Sequence, residues 1–387
     1  MRLLALGGAG AVAKESTRDL AEYSDFEEIV IADYNLEAAQ ALVDEIGDPR
    51  LRAMRFDATD YQAMLETFPQ FDVVMNGLPF AFDLAVNRAC VEAGVPGCDL
   101  SSEDAQFDLS AEAERKGLTF VPGVGATPGI TNMMVRRAMD LLDQVETADV
   151  YFAAFRCLAP APGLLTTTIW EFDPGAEERS ETYYEDGTWH PTAPLAGGKV
   201  VRFHDQIGEQ AVYLVPHDES YTLPKSIPGL KRASVRGCFP PHVMRLMGAL
   251  MEAGLLTGLE VSVGGESTTA LNACRELLWA APSSRENPVW AYGLVVEVTG
   301  RRDGRRVTCT YRNEHPPQEE WGGESAYFKN VGIPLSIGAQ MVAHGQVEGA
   351  GVLPPELAFR AELFFHELAR RGIHVHEEIV ETGELAE

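Results

Sequence analysis

Arg2-Leu3-Leu4-Ala5-Leu6-Gly7-Gly8-Ala9-Gly10-Ala11-Val12-Ala13-Lys14 decides the fold. A short apolar run with strand character enters a glycine turn, and a helix-compatible stretch follows over 14–23. The turn reads Gly8-x-Gly10-x-x-Ala13. Gly8 permits a tight bend, and Gly10 lets backbone approach a ligand with no Cβ in the way. Small Ala13 lets the helix sit close to its strand. The N–H groups at the helix start, around Ala11 and Val12, combine with the helix dipole to favour a diphosphate. A second strand, Ile29-Val30-Ile31-Ala32, runs into Asp33. The spacing from Gly10 to Asp33 matches that between a phosphate turn and a ribose-binding acid in a dinucleotide fold. A 2′-phosphate would meet like charge at Asp33, so the expected cofactor is NAD, with NADP disfavoured.

Outward from this stretch, strand and helix signals alternate. Segments 36–46, 61–67 and 81–93 read as helices, the last stopped by Gly94. Segments 53–57, 71–77, 97–100 and 118–122 read as strands. Repeated βα units specify an α/β fold with a doubly wound parallel sheet, whose ligands bind beyond the carboxyl ends of the strands. Those ends carry Asp33, Asp57, Asn76 and Asp99. After 123–129 the pattern changes to a long helix over 131–142 and then to longer, alternating strands. Asp303-Gly304 between 293–298 and 306–311 is a hairpin signal. Segment 158–198 is rich in Pro, Gly, Thr and aromatics and reads as an active-site or subunit-contact loop region. Pro354-Pro355 starts a helix expected over 356–371, closed by Gly372. The expected organisation is a Rossmann domain over 1–125 and a mixed α/β substrate-binding and dimerisation domain with antiparallel strands over 126–350. A C-terminal helix and strand over 351–387 pack back on the body.

The chain has 387 residues, 45% of them hydrophobic, enough for two domains with ample core. No run of eighteen apolar residues occurs, so no membrane span is expected. The net charge of −27 makes nucleic acid and anionic membranes poor partners. The first residues read as a strand and not as a signal peptide. The six cysteines lie far apart without a CxxC pair and suit a reducing cytoplasm.

Several further segments carry a resemblance: VVMNGLPF at 73–80, GCDLSSE at 97–103, PGVGATPGITNMM at 122–134, LVPHDESYTLPKSIPGLKR at 214–232 and GVLPPELAFRAELFFHELARRGI at 351–373. In this order, and with the opening turn, they resemble the saccharopine dehydrogenase superfamily over nearly the whole chain. That resemblance implies an NAD(P)-dependent oxidoreductase acting on an amino-acid C–N bond, and a homodimer. Lysine 6-dehydrogenase is the activity placed first, giving a semialdehyde and ammonia. Saccharopine or carboxynorspermidine dehydrogenase is the alternative, and a catalytically silent NAD-binding regulator is a third. Where the family often has His-Pro-Glu, this chain has His217-Asp218-Glu219. The departure opens the way to an opine-like amine longer than lysine.

Amine oxidation needs a positioned neutral amine and a base for its proton. Beyond the fourth and fifth strands stand Asn76, Gly77 and Pro79, then Asp99 and Glu103. Asn76 suits the cofactor's ribose or carboxamide, and Gly77 lets backbone approach the ring. Asp99 is the first candidate to hold the substrate ammonium or serve as base, although a helix cap acid fits the same place. Ser101-x-x-Asp104 also reads as a capping-box variant. His217 is the second candidate base, with Glu219 to orient it. A substrate carboxylate calls for Arg236 or another cation among Arg156, Lys225 and Arg232, or for the N–H groups of the loop around Thr127. His374-x-His376 lacks a third ligand nearby, so no metal is expected.

Overall fold

The computed structural model describes residues 1–382; residues 383–387, the end of the expected 351–387 segment, lie outside them. The chain forms two compact units. One holds Met1–Asp140 and Phe328–His374, the other Leu141–Tyr327 and the chain from Val375. The first unit is therefore discontinuous in sequence.

Its core is a seven-stranded sheet whose pairings are all parallel. Six strands come in chain order: β1 (Arg2–Leu6), β2 (Glu28–Asp33), β3 (Leu51–Arg55), β4 (Val73–Asn76), β5 (Gly97–Cys98) and β6 (Thr119–Val121). The seventh, Gly351–Val352, arrives from far down the chain and pairs with β6. Leu3, Leu4, Ala5, Leu6, Val73, Val74 and Met75 are all fully buried, as strands covered on both faces require. The spatial order places β4 beside β1 and reverses direction there. A ligand crevice opens at such a switch point, outside the strand ends.

Helix Ala13–Tyr23 follows the glycine turn. The left-handed residue of that turn is Gly7, at φ 63°, one position before the glycine expected to make the bend. Gly8 serves closeness instead: a Cβ there would sit 3.1 Å from Ala5 and Ile31 atoms. The helix start is held between two other glycines. A Cβ on Gly77 would fall 2.6 Å from the Ala13 Cβ, and one on Gly332 would fall 2.8 Å from the Val12 carbonyl oxygen.

The second unit contains a nine-stranded mixed sheet. Its central strand, Gln144–Phe155, pairs parallel with Arg232–Cys238 and antiparallel with Ala291–Arg302. Ala291–Arg302 turns back into Arg305–Glu314 through Asp303 (φ 52°) and Gly304 (φ 76°), the two positive φ angles that a tight hairpin needs. Segment 158–198 is more regular than its composition suggests. It holds the helix Pro162–Phe172 and a hairpin of Tyr183–Glu185 with Thr188–His190.

The helix expected over 356–371 is broken. Pro355–Ala358 and Ala361–Arg370 are separate, with extended backbone at Phe359. Arg136 Nη1 donates to the carbonyls of Glu356 and Phe359, and the Phe359 ring packs 5.7 Å from Phe364. Tertiary contacts thus outweigh a helical pattern here. All six cysteines are buried and free. Among the described residues no helix is long and apolar enough to cross a membrane.

The packing at Gly332 predicts that Gly332→Ala pushes back the first turn of helix Ala13–Tyr23. Stability should fall by about 1–3 kcal/mol, with NADH affinity falling alongside it. Urea unfolding and NADH titration on the same variant check this; unchanged values for both would mean that the turn accommodates a methyl group.

Candidate functional site

In the first unit the dinucleotide turn stands at the switch point. Gly10 N–H donates to the Gly7 carbonyl (2.8 Å), and the Thr17 hydroxyl donates to the Gly8 carbonyl (2.9 Å), which ties the turn to its helix. Ala11 and Val12 are partly exposed at the helix start. Asp33 ends β2, and its Oδ1 accepts from the Asn35 N–H (2.9 Å). Next to it Tyr34 is 68% exposed, with the Arg55 guanidinium 5.6 Å from its ring. Asp57 is exposed beyond β3, and its hydrogen bonds from Thr59 hold its carboxyl below the usual range. Turn, strand-end acid and open switch point together fit a dinucleotide.

The ends of β4 and β5 are a buried polar network. Asn76 is fully buried; its Nδ2 donates to Asp83 (2.7 Å) and its Oδ1 accepts from the Leu78 N–H (3.1 Å). Its amide therefore shapes the turn carrying Gly77 and exposed Pro79, and is not open to a ribose or carboxamide as expected. Asp99 is also fully buried. One oxygen accepts from Gln106 Nε2 (2.7 Å), the other from the Gly123 N–H (3.0 Å). A carboxylate engaged in this way positions loops; it offers no open face to a substrate ammonium. Burial and the charge of Asp99 raise the Asp83 carboxyl well above its ordinary value, against hydrogen bonds from Ser101 and Asn76. Glu103 caps the helix Asp104–Phe107 in a capping box with Gln106, so the box lies two residues beyond the Ser101-x-x-Asp104 reading.

Thr127 lies in a loop where three N–H groups are engaged within the chain. Gly125 N–H donates to the Pro128 carbonyl, Gly129 N–H to Asn132 Oδ1, and Ile130 N–H to the Gly125 carbonyl. Those three N–H groups are therefore not available to the anion expected there.

In the second unit His217 and Glu219 meet. His217 Nδ1 lies 2.7 Å from Glu219 Oε2, the carboxylate fully buried and the imidazole 16% exposed. Glu219 opens helix Glu219–Ser226, where the dipole favours a negative charge. The His217 ring packs 5.4 Å from Phe152. Phe152 in turn covers Gly237, where a Cβ would clash at 2.1 Å. Burial pulls the His217 pKa down, but the charge and hydrogen bond of Glu219, with Asp218 and Glu171, outweigh it and hold it up at about 9. With Nδ1 on Glu219, Nε2 is the atom that can exchange a proton with a substrate.

Arg236, Arg232 and Arg156 have partners within the chain. Arg236 donates to the Gly197 carbonyl and Ser234 Oγ and lies 3.7 Å from Asp149. Arg232 also binds Asp149 (2.5 Å). Arg156 is buried between the Phe239 and Tyr327 rings; its terminal nitrogens donate to three backbone carbonyls and Thr168. His376 pairs with Glu314 on the strand surface.

Sequence reasoning missed Glu171, in the last turn of helix Pro162–Phe172. Burial raises its carboxyl to about 7, against the charges of His217, Arg156 and Arg179. The signal that could have found it is an acid at the C-terminal end of an otherwise apolar helix, where the dipole opposes it. The expected site residues thus divide between the units: the cofactor residues, Asp99, Glu103 and Thr127 stand in the first, and His217, Glu219 and Arg236 in the second.

Two family models match the chain: the saccharopine dehydrogenase NADP binding domain over residues 3–121, and the saccharopine dehydrogenase C-terminal domain over 125–373. Carboxyaminopropylagmatine dehydrogenase of Synechocystis sp. is 27% identical, over 96% of each chain. Carboxynorspermidine synthase of Vibrio alginolyticus is 24% identical, over 86% of this chain and 84% of its own. An apo saccharopine dehydrogenase (L-Glu forming) from Saccharomyces cerevisiae shares the fold, with a TM-score of 0.70 at 18% identity over 98% of this chain and 99% of that one.

Placement of Asp33 at the end of β2 predicts that Asp33→Ala weakens NADH binding and raises the relative use of NADPH. Steady-state KM values for both cofactors measure it; an unchanged preference would remove Asp33 from the ribose site.

Proposed function

The chain belongs to the saccharopine dehydrogenase family as an NAD(P)-dependent oxidoreductase acting on CH–NH donors, and we propose that its substrate is a carboxylated secondary amine and its preferred cofactor NAD. Carboxyaminopropylagmatine dehydrogenase and carboxynorspermidine synthase, matched along most of both chains, carry names of such amines. They favour this reading over lysine, the substrate placed first from sequence.

One observation carries the chemistry: His217 Nδ1 lies 2.7 Å from the fully buried Glu219 carboxylate, a contact that favours the imidazolium. Gly8, Gly10 and the backbone at Ala11 and Val12 hold the cofactor's diphosphate, Asp33 its ribose, and Gly77 and Pro79 border its ring. When bound, the nicotinamide gives or takes the hydride at the substrate carbon. His217 moves the accompanying proton. As the C=N bond of an imine becomes CH–NH, Nε2 of the imidazolium gives its proton to the nitrogen, and Glu219 stabilises the charge before transfer. In the reverse direction neutral Nε2 takes the proton back. Asp99, Asn76 and Asp83 keep the loops after β4 and β5 in shape and do not touch the reacting atoms. The homodimer implied by the family is retained as part of the proposal.

The direction of the His217 shift fixes the pH behaviour. Imine reduction needs the imidazolium, so its rate stays level up to about pH 9 and falls above. Amine oxidation needs the neutral ring and climbs towards the same pH. His217→Ala should lower turnover by about 10²-fold and remove that inflection; turnover and profile unaltered would return His217 to a packing role. Substrate class is tested by incubating the protein with NAD and, separately, saccharopine, carboxynorspermidine, carboxyaminopropylagmatine and L-lysine. NADH formation and ammonia release are followed. NADH without ammonia from a carboxylated amine supports the proposal, and NADH with ammonia from lysine alone overturns it.

A further inference from the structure

Beside His217 in the second unit is a narrow recess that the proposed proton transfer does not use. Its wall is formed by Phe172, Leu195, Leu214, Val215 and Phe239, with the side of Glu171 as its charged lining group. Two features of that carboxylate and one of the wall set the recess apart. The carboxylate sits in the last turn of helix Pro162–Phe172, where the dipole disfavours an anion and where that turn carries no basic residue of its own. Among the described residues no hydrogen bond or ion pair reaches it: Arg179 donates to the carbonyls of Glu171 and Asp173, and Arg156 donates to other carbonyls and Thr168. Leu195, in the same lining, is held at φ 62°, a left-handed conformation that costs a non-glycine residue energy. The recess has room for about one water-sized group. A terminal ammonium is of that size.

We propose that the Glu171 recess binds the far, ammonium-bearing end of an aliphatic amine substrate. This rests on the reading that the substrate is an amine, and it adds where the second charge goes. The groups facing Glu171 are His217, Arg156 and Arg179. An arriving ammonium supplies the hydrogen-bonded counter-charge that none of them provides.

The test is calorimetric titration of trimethylenediamine into the protein saturated with NADH, using wild type, Glu171→Gln and Leu195→Phe. The diamine should bind wild type, and each variant should bind it about tenfold or more weakly, with NADH affinity unchanged. Wild-type binding should also tighten as pH rises through about 7, where Glu171 ionises, and be level there in Glu171→Gln. No binding to wild type, or equal binding by Glu171→Gln, overturns the proposal. Should Glu171→Gln fail to fold, Leu195→Phe decides, because it narrows the recess and leaves the carboxylate. The titration does not depend on turnover. Diamine binding that requires Glu171, in a protein that oxidises no carboxylated amine, would sink the proposed reaction and leave the subsite standing.

Discussion

The phosphate turn depends on how the first turn of helix Ala13–Tyr23 is gripped. Gly77 after β4 and Gly332 of helix Ser325–Ala343 approach it to backbone contact. This helix has few large apolar residues, yet Glu15, Ser16, Thr17 and Asp19 are buried in it. Buried polar groups need partners, and several of these come from the distant end of the chain. Ser16 Oγ donates to the Gly332 carbonyl (2.8 Å), Ser336 Oγ donates to Asp19 (2.6 Å), and Arg371 Nε donates to Asp19 (2.7 Å). The return of Phe328–His374 to the first unit is thus a requirement of the dinucleotide turn. Without it, a helix that hydrophobic burial alone cannot hold would expose the wrong face.

Much of the architecture was legible because it rests on short-range rules. Helices Leu36–Ile46 and Tyr61–Thr67 fall where they were expected, and the structure adds the Asn35 and Asp60 side chains as their caps. The Asp303-Gly304 hairpin follows from two residues that tolerate positive φ. What was not legible depends on partners far away in sequence. The strand Gly351–Val352 is only two residues long and exists because β6 has an open edge. The break at Phe359 exists because Arg136 takes carbonyls that a continuous helix would use. Helix Pro162–Phe172 was hidden by a composition that resembles a loop.

The candidate site was harder for a related reason. Sequence shows which residue types can do chemistry, but not which are already engaged. Asp99 and Asp33 both stand at strand ends. Asp33 lies beside an exposed tyrosine, whereas Asp99 is closed in by Gln106 and Gly123. Arg236 and Arg156 likewise carry the charge a substrate carboxylate would want, yet Ser234 and the Gly197 carbonyl occupy one, and backbone carbonyls and two aromatic rings enclose the other. Position beyond a strand end is therefore a weak guide until burial is known. Glu171 shows the reverse case: it had no motif to announce it, and its environment alone sets it apart.

The same distinction bears on the chemistry of His217. An isolated imidazole is mostly neutral at physiological pH and suits proton abstraction. Pairing with fully buried Glu219 pushes it towards the protonated form, because releasing the proton would leave a buried carboxylate uncompensated. Oxidation of an amine, primary or secondary, needs a base, so a protonated imidazole works against it at neutral pH. Reduction of an imine needs an acid at the nitrogen, and an imidazolium with Nδ1 anchored and Nε2 available is that acid. In the proposed reading, one ion pair two residues apart in sequence therefore favours imine reduction over amine oxidation at neutral pH.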